Sequence, residues 1–540
     1  MKESERTASV LALAGPESLK EYLLRQSRSS AREVDTFNEL FPDQIFDLVG
    51  GHGKYQFSIL FLLLIASIGV FTFIVMIPTL LTPPELLCRP KNSNSTYESC
   101  SFTKSCLDEN EYIIDNSTIL KTWIFIFTPV CNVETTELKY FICISIGFIL
   151  SSIFISPLSD IYGRKAFLFL SSFLCSILLL KTLFTTSNIS LYVTLFLQSL
   201  FVSVFFTCSF TQIIEFSSRY SRPIYCAFLL AGIPLSGLFN SFLIYFLKSY
   251  LEVFVISAYL ILFLFSGILY LKESPYYSIS FLDFKTAKDT SLLISNENKG
   301  RNFLFSFNHE ADQYKMDYLE FDNNRRKESI PILEIFVYQS FCLKSLFILI
   351  MSICLGYLLG DIGIFSDTLT NNNIDIISFY YLIDTIAVIS AGILIYFLGR
   401  KKSILFSCLI GMIIKCVNIF LDSSNQYINS TLIFLSRIIY LLGFISAIIF
   451  FVERFPCRVR SSGCGLVLSG VFIGFTIINC IPSMNKIILL IIYSIIAIII
   501  ITVLHFLEET SNSELAEDFV EVIQYRNKCL IDTKQDELNS

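Results

Sequence analysis

Stretches of mostly apolar residues recur along this chain in two sets of six, separated by one long polar interval. The first set lies near residues 57–81, 138–159, 166–186, 191–214, 224–247 and 251–271; the second lies near 343–360, 374–398, 403–421, 430–451, 463–483 and 486–506. An α-helix needs about 20 predominantly apolar residues to cross the hydrocarbon of a bilayer, and only helices or closed barrels satisfy their backbone there. The runs have helix length, so the pattern predicts an all-α membrane protein of twelve transmembrane helices in two pseudo-symmetric six-helix bundles. It divides the chain into an N-terminal segment 1–55, a first bundle 56–271 with a long loop at 82–137, a linker 272–340, a second bundle 341–507 and a tail 508–540. Pro16, Asp35 and Asp43 precede the first span, which therefore does not read as a cleavable signal peptide.

Hydrophobic residues make up 54% of the chain and charged ones 16%, with a net charge of -6. For a membrane protein the placement of Lys and Arg carries more information than their total. Arg164, Lys165, Arg219, Arg222, Arg400, Lys401, Lys402, Arg454, Arg458 and Arg460 fall in the short loops of one side, against Lys248 and Lys486 on the other. Both termini are therefore expected in the cytosol. The glycosylation triplets headed by Asn94, Asn116, Asn188 and Asn429 then all lie outside. Of sixteen cysteines, Cys88, Cys100, Cys106 and Cys131 gather in the first outer loop as disulfide candidates, with three pairings open. The remainder read as small buried apolar residues.

Polar marks repeat between the two sets of spans. Gly163, Arg164 and Lys165 are answered by Gly399, Arg400 and Lys401; Glu215 and Arg222 by Glu453 and Arg460; Glu273 by Glu509. The offsets agree within two residues, which predicts parallel repeats about an axis along the membrane normal. Cations beside Asp160, Glu215 and Glu453 are expected to latch the bundles together on the cytosolic face and to part when the cavity opens inward.

With these marks the chain resembles the major facilitator superfamily, and within it the organic cation, carnitine and organic anion transporters of solute carrier family 22, over about residues 46–510. The sequence from Gly51 to Gln56 is similar to that family's entry to the first helix, and the loop opening at Pro84 and Cys88 is large in the same way. SPLSDIYGRK, at 156–165, resembles the superfamily signature; Glu273, Ser274 and Pro275 resemble the mark closing helix six. ERFPCRVRSSGCG, at 453–465, resembles the mark after helix ten through Glu453, Phe455, Pro456, Arg460, Gly463 and Gly465. Departures are Ser156 for a Gly, Ile161 for a basic residue, Leu195 for an Arg, Ser199, Ser203 and Val204 for Gly or a cation, and Asn479 for a Pro. The resemblance implies a major facilitator fold and transport of small organic ions by alternating access, as a secondary transporter or facilitator of the plasma membrane.

It also implies a substrate site between the halves near the midplane, where an ionisable side chain is a functional candidate. Asp384 replaces the family's usual Glu, and Arg437 stands where the family has Lys or Arg; if the two face one another across the cavity, they can pair in one state and release in another. Tyr380 and Tyr381 precede Asp384 by one helical turn, and a carboxylate with aromatic neighbours suits an organic cation. Phe206, Phe210 and Tyr357 resemble cavity aromatics of the family. Phe472 occupies the position that most often separates cation from anion carriers, and it is uncharged, so Asp384 alone points to cations or zwitterions. Lys415 has no counterpart in the family.

An enzyme is disfavoured: His52, His309 and His505 are the only histidines, and no Walker loop, dinucleotide fingerprint or metal-spaced His/Cys set occurs. No cofactor and no metal are expected, and no nucleic-acid role; the expected partners are a small organic solute, the bilayer and a coupling ion. Two alternatives stay open, a transporter-like scaffold or receptor without turnover and a sugar-porter-like facilitator of neutral solutes. The interval 272–340 reads as a solvated linker, and SRSSAR in the first segment offers serines to a kinase.

Overall fold

A computed structural model describes residues 52–80, 86–90, 98–100, 110–114, 133–281, 284–298, 335–336, 339–361, 374–421, 426–481, 486–510 and 515. Twelve helices in it are long and apolar enough to cross a membrane. They are α1 (Lys54–Leu80), α2 (Val133–Leu150, running on through Ser151–Ile155 and Ser156–Tyr162), α3 (Arg164–Lys181), α4 (Asn188–Phe216), α5 (Arg222–Leu230 with Gly232–Leu247) and α6 (Tyr250–Tyr270). The second six are α7 (Gln339–Asp361), α8 (Ile374–Leu398), α9 (Arg400–Leu421), α10 (Gln426–Glu453), α11 (Arg460–Cys480) and α12 (Lys486–Phe506). Each coincides with a span read from hydropathy. Phe263, Phe420, Ile487 and Ile498 are exposed apolar side chains on α6, α9 and α12, as lipid contact requires.

Apolar burial does not draw helices together in lipid, so close packing at small residues has to. On α7, Gly356 and Gly360 are four apart; on α11, Gly470 and Gly474 are four apart, and the two helices cross at these positions. A Cβ at Gly356 would strike the carbonyl oxygen of Val471, and one at Gly474 that of Ile353. In the first six helices Gly232 lies against Ser67, and Thr72 Oγ1 lies 3.0 Å from Ser257 Oγ and 3.3 Å from Asn240 Oδ1, tying α1 to α5 and α6. Contacts between the two sets run along α2 with α11, α4 with α11, and α5 with α8.

α2 and α3 are joined by one residue, Gly163 (φ 100°), and α8 and α9 by Gly399 (φ 83°). A left-handed backbone is readily adopted only without a Cβ, which fixes the residue type at both corners. Both corners lie on one face of the molecule, the latch face. The opposite face carries the loop between α1 and α2, where β1 (Leu86–Pro90), β2 (Glu98–Cys100) and β3 (Asn110–Ile114) form an antiparallel sheet in the order β2-β1-β3. The helical pattern gave no hint of it. Cys88 and Cys100 lie on adjacent strands, while Cys106, Cys131, Asn94 and Asn116 fall outside the described residues. Asn188 is exposed at the start of α4, and Asn429 lies in the first turn of α10.

One expectation needs correcting. The interval after α6 is not solvated linker from its outset, because Pro275–Ser280 and Phe284–Glu297 are helical and Ile294 is fully buried. Asn298, at the end of the second of these helices, accepts from the Tyr55 N–H (3.0 Å) and donates to Gln56 Oε1 (2.8 Å), clasping the first turn of α1.

The α7–α11 contact yields a direct check. Gly474→Val sets a side chain against backbone that cannot swing away, and is expected to lower stability by about 1–3 kcal/mol, read as a lower unfolding midpoint in detergent. Gly267→Ala should do much less, since its added methyl meets only the flexible Leu62 side chain.

Candidate functional site

On the latch face, the repeated sequence marks become repeated contacts. Glu273 accepts from the Lys165 N–H at 2.9 Å, and Glu509 from the Arg400 and Lys401 N–H groups at 3.1 and 3.0 Å. A carboxylate thus caps the N-terminus of α3 and another that of α9, where free N–H groups and the helix dipole favour negative charge. Burial pushes the Glu273 carboxyl up from its ordinary value, opposed by the Lys165 N–H and the Arg164 guanidinium.

Glu215 and Glu453 each hold two guanidiniums. Arg164 lies 3.1 Å from Glu215 within the first six helices, and Arg460 reaches Glu215 from the other set at 2.9 Å. Arg400 lies 3.1 Å from Glu453 within the second six, and Arg222 approaches Glu453 from the first set at 3.9 Å. Even the hydroxyl partners repeat, Ser274 donating to Glu215 in a short bond and Thr510 to Glu453 at 2.7 Å. Arg164 also donates to the Cys457 carbonyl, and Arg400 to that of Arg219 at 3.5 Å. Glu215, Arg164 and Arg460 are at most 1% exposed, so these are charges held out of water by one another.

The symmetry fails at one place. Asp160 accepts from the Ser461 and Ser462 N–H groups (3.0 and 2.7 Å) and from the Ser462 hydroxyl (2.7 Å), capping α11 across the interface. The residue in the matching position of the second set is Tyr396, which is 54% exposed, and the matching start of α5 has Pro223, which has no N–H to offer. The α2–α11 side of the latch therefore grips harder than the α5–α8 side.

Buried hydroxyls also pair between helices. Ser152 pairs with Ser203 at 3.1 Å, Ser156 with Thr207 at 3.2 Å, and Thr211 with Ser461 at 3.4 Å, forming a ladder over α2, α4 and α11. Ser151–Ile155 are wound as a π-helix, and the Ser152 carbonyl lies where a Cβ on Gly465 would have to go. Leu195 is wholly buried among apolar neighbours.

Asp384 and Arg437 meet in a bidentate ion pair, Nε to Oδ1 at 2.8 Å and Nη2 to Oδ2 at 2.6 Å, and both are buried. They do so within the second set of helices, α8 with α10. Tyr380 stacks on Phe434 at 4.7 Å and lies under the Arg437 guanidinium, 5.3 Å from its carbon. Tyr381, one turn before Asp384, does cross: its hydroxyl donates to the Val75 carbonyl on α1 at 2.8 Å, and its ring packs on Gly237 of α5.

The other expected site residues spread out. Phe206 and Phe210 stack at 5.8 Å and line a cavity with room for about one water, with Ser67, Phe71, Leu229 and Ile233, all from the first six helices. Phe472 stacks on Phe148 of α2 at 3.9 Å, and Phe475 meets Phe141 at 6.0 Å, closing the interface toward the sheet face. Tyr357 is buried on α7. Contacts between the sets thus exist at both ends of the cleft. Sequence reading assigned no contact to Ser274 and missed Ser461, Ser462 and Thr510, whose roles depend on a neighbouring chain segment. It also missed Asp361, which pairs with Lys415 at 3.0 Å.

A family model described as Major Facilitator Superfamily matches residues 138–479. Among solved structures, the chain is similar to the proton:xylose symporter XylE bound to 6-bromo-6-deoxy-D-glucose, at 15% identity and a TM-score of 0.55, covering 86% of this chain and 98% of that one. It is also similar to a partially occluded inward-open form of the xylose transporter XylE from E. coli, at 14% identity and a TM-score of 0.50, covering 85% and 100%. At such identity the likeness concerns the fold. No curated protein matches the chain by sequence.

The doubled latch makes a prediction with an internal control. Glu215→Gln strips the charge partner from two buried guanidiniums and is expected to cost about 3–5 kcal/mol, together with faster thiol labelling at Cys457, whose Sγ lies 3.3 Å from Glu215. Glu453→Gln, on the looser side, should cost less. Unfolding midpoints and mass-spectrometric labelling compare the two; an equal loss would refute the unequal grip.

Proposed function

The chain belongs to the major facilitator superfamily, and from that premise we propose that it carries small organic solutes bearing a cationic group, zwitterions above all, through a site built on Asp384 and Arg437. Secondary transport by alternating access is the family's activity. The finer reading draws its support from one observation, the buried bidentate pair beside Tyr380 and Tyr381.

A carboxylate already matched by a guanidinium gives a simple cation only half of an exchange. A zwitterion completes it, its ammonium taking Asp384 and its carboxylate taking Arg437, so that neither buried charge is left alone at any step. The exchange is positioned to be felt across the cleft, because Tyr381 stands one turn away and holds Val75 and Gly237 of the first six helices. Loosening Asp384 shifts α8, and with it a contact that keeps the sheet-face end shut. The latch then serves as the gate at the other end. In this reading the latch face is cytosolic, both termini lie there, the sheet-bearing loop faces outside the plasma membrane, and the sequons and loop cysteines meet an oxidising, glycosylating compartment.

The reading is tested by uptake into proteoliposomes with tetraethylammonium as cation, glycine betaine as zwitterion and glucose as neutral solute. Asp384→Asn is expected to reduce glycine betaine and tetraethylammonium uptake about 10- to 100-fold, the loss of a charge-assisted bond, and to leave any glucose uptake unchanged. Because a lone buried Arg437 also destabilises, the paired D384N/R437Q variant is measured beside it. Parental uptake of both charged solutes by a folded double variant would sink the assignment.

A further inference from the structure

Cys208 on α4 and Cys464 on α11 are free thiols, 0% and 1% exposed, and they belong to different helix sets. Their helices touch at Thr211 and Ser461, whose hydroxyl oxygens lie 3.4 Å apart. The neighbouring contacts fix how the two helices run. Ser203 meets Ser152 and Thr207 meets Ser156, so α4 is parallel to α2. Ser461 meets Asp160 while Gly465 lies against Ser152, so α11 runs opposite to both. One turn from the Thr211–Ser461 contact toward the middle of the membrane is therefore three residues back on α4 and three residues on in α11, which are Cys208 and Cys464.

The electrostatics agree with this register. The groups that act on the Cys464 thiol are, strongest first, Cys208, Asp160 and Cys226 of α5. Small residues fill both helices here, Thr207, Cys208 and Ser209 on one and Ser462, Gly463 and Cys464 on the other. Such residues let helix backbones approach closely, toward the separation of about 4.4–6.8 Å between Cα atoms that a disulfide spans. Cys208 also has a setting that Cys464 lacks: the Ser159 hydroxyl bonds to it and the Arg164 guanidinium acts on it, and both belong to its own helix set.

We propose that Cys208 and Cys464 are an oxidation site, a thiol pair that a peroxide converts into a disulfide across the two helix sets and that then holds the latch shut. When the latch parts, α4 and α11 separate and water reaches Cys208, which keeps Ser159 and Arg164 beside it. A hydroxyl and a guanidinium favour the reactive thiolate once water relieves its burial. The Cys208 sulfur then attacks one oxygen of hydrogen peroxide, the O–O bond breaks, and the products are a sulfenic acid and, with the thiol's proton, a water. On closing, the Cys464 sulfur attacks the sulfenic sulfur; the S–S bond forms, the S–O bond breaks, and a second water leaves with the Cys464 proton. Two thiols lose two electrons, and one peroxide is reduced to two waters. Packing alone asks for no second thiol opposite the first. A pair that meets only when the latch is closed can be joined only in that state, so the bond arrests the cycle there. This rests on the alternating access of the family and not on the Asp384 site.

The test needs no substrate. The purified full chain is treated with hydrogen peroxide, the remaining thiols are blocked with N-ethylmaleimide, and a non-reduced digest is analysed by mass spectrometry. A cross-linked peptide joining Cys208 to Cys464 is expected, and dithiothreitol should remove it. The lock is measured at Cys457, which is 0% exposed in the closed latch and is labelled by a maleimide as the latch opens. Oxidation of the parent should slow that labelling by about 10- to 100-fold, dithiothreitol should restore it, and Cys208→Ala should make it insensitive to peroxide. C464A takes the place of C208A if that variant does not fold. A parent without the cross-link, a Cys464 joined to Cys226 instead, or labelling at Cys457 that stays fast once the link has formed overturns the inference; so does equal slowing in C208A, which would mean oxidation of Cys457 itself. D384N/R437Q should give the same cross-link as the parent, so failure of the Asp384 site in uptake leaves all of these outcomes readable.

Discussion

Charge withdrawn from water is the constraint around which this molecule is arranged. Arg164, Arg222, Arg400 and Arg460 are all buried at one face, and an isolated guanidinium there would be costly by several kcal/mol. The chain meets that cost with two carboxylates, Glu215 and Glu453, each shared between an arginine of its own helix set and one of the other. The sharing is what couples the two sets. Neither can rotate without taking a guanidinium away from a carboxylate, and neither carboxylate is left empty if only the crossing arginine departs. Such a contact is firm when closed and tolerable when open, which a purely apolar seam in lipid would not be.

Within each set the demands are opposite, and the packing reflects it. α7 and α11 approach to backbone contact at Gly356 and Gly474, where no rearrangement short of separation is available. The Thr72 contacts with Ser257 and Asn240 fix α1 against its neighbours in the same way. Between the sets, aromatic faces and hydroxyls meet instead: Phe148 on Phe472, Tyr381 on Gly237, Thr211 beside Ser461. Rings slide and hydroxyls exchange partners at small cost. The π-helical turn at Ser151–Ile155 lies along that softer surface, in the middle of α2.

How much of this could be read from residues alone follows from the range of each interaction. Hydropathy placed the spans because lipid acts on every residue of a helix, and the Gly, Arg and Glu marks foretold the doubled latch because a repeated sequence folds into repeated contacts. The capping role of Asp160 was hidden, since Ser461 and Ser462 offer backbone N–H groups that leave no residue signature. The partner of Asp384 was named, yet the bidentate geometry of the pair was not, because hydropathy fixes depth in the membrane and says nothing of rotation about a helix axis. Asp361 closes a helix where a charge looks like an ordinary boundary residue; only Tyr493 and Lys415, far off in the chain, give it significance. The sheet near Cys88 and the helix Phe284–Glu297 lie outside the long apolar runs that hydropathy detects.

The corners at Gly163 and Gly399 have a mechanical sequel. With a single residue between α2 and α3, and with Glu273 pinning that bend to the end of α6, there is no slack in which a twist could dissipate. Torque applied at one rod must reach the next undiminished. The same coupling repeats at α8, α9 and Glu509, so a twist in one rod of either set is handed on to its neighbours at the corner.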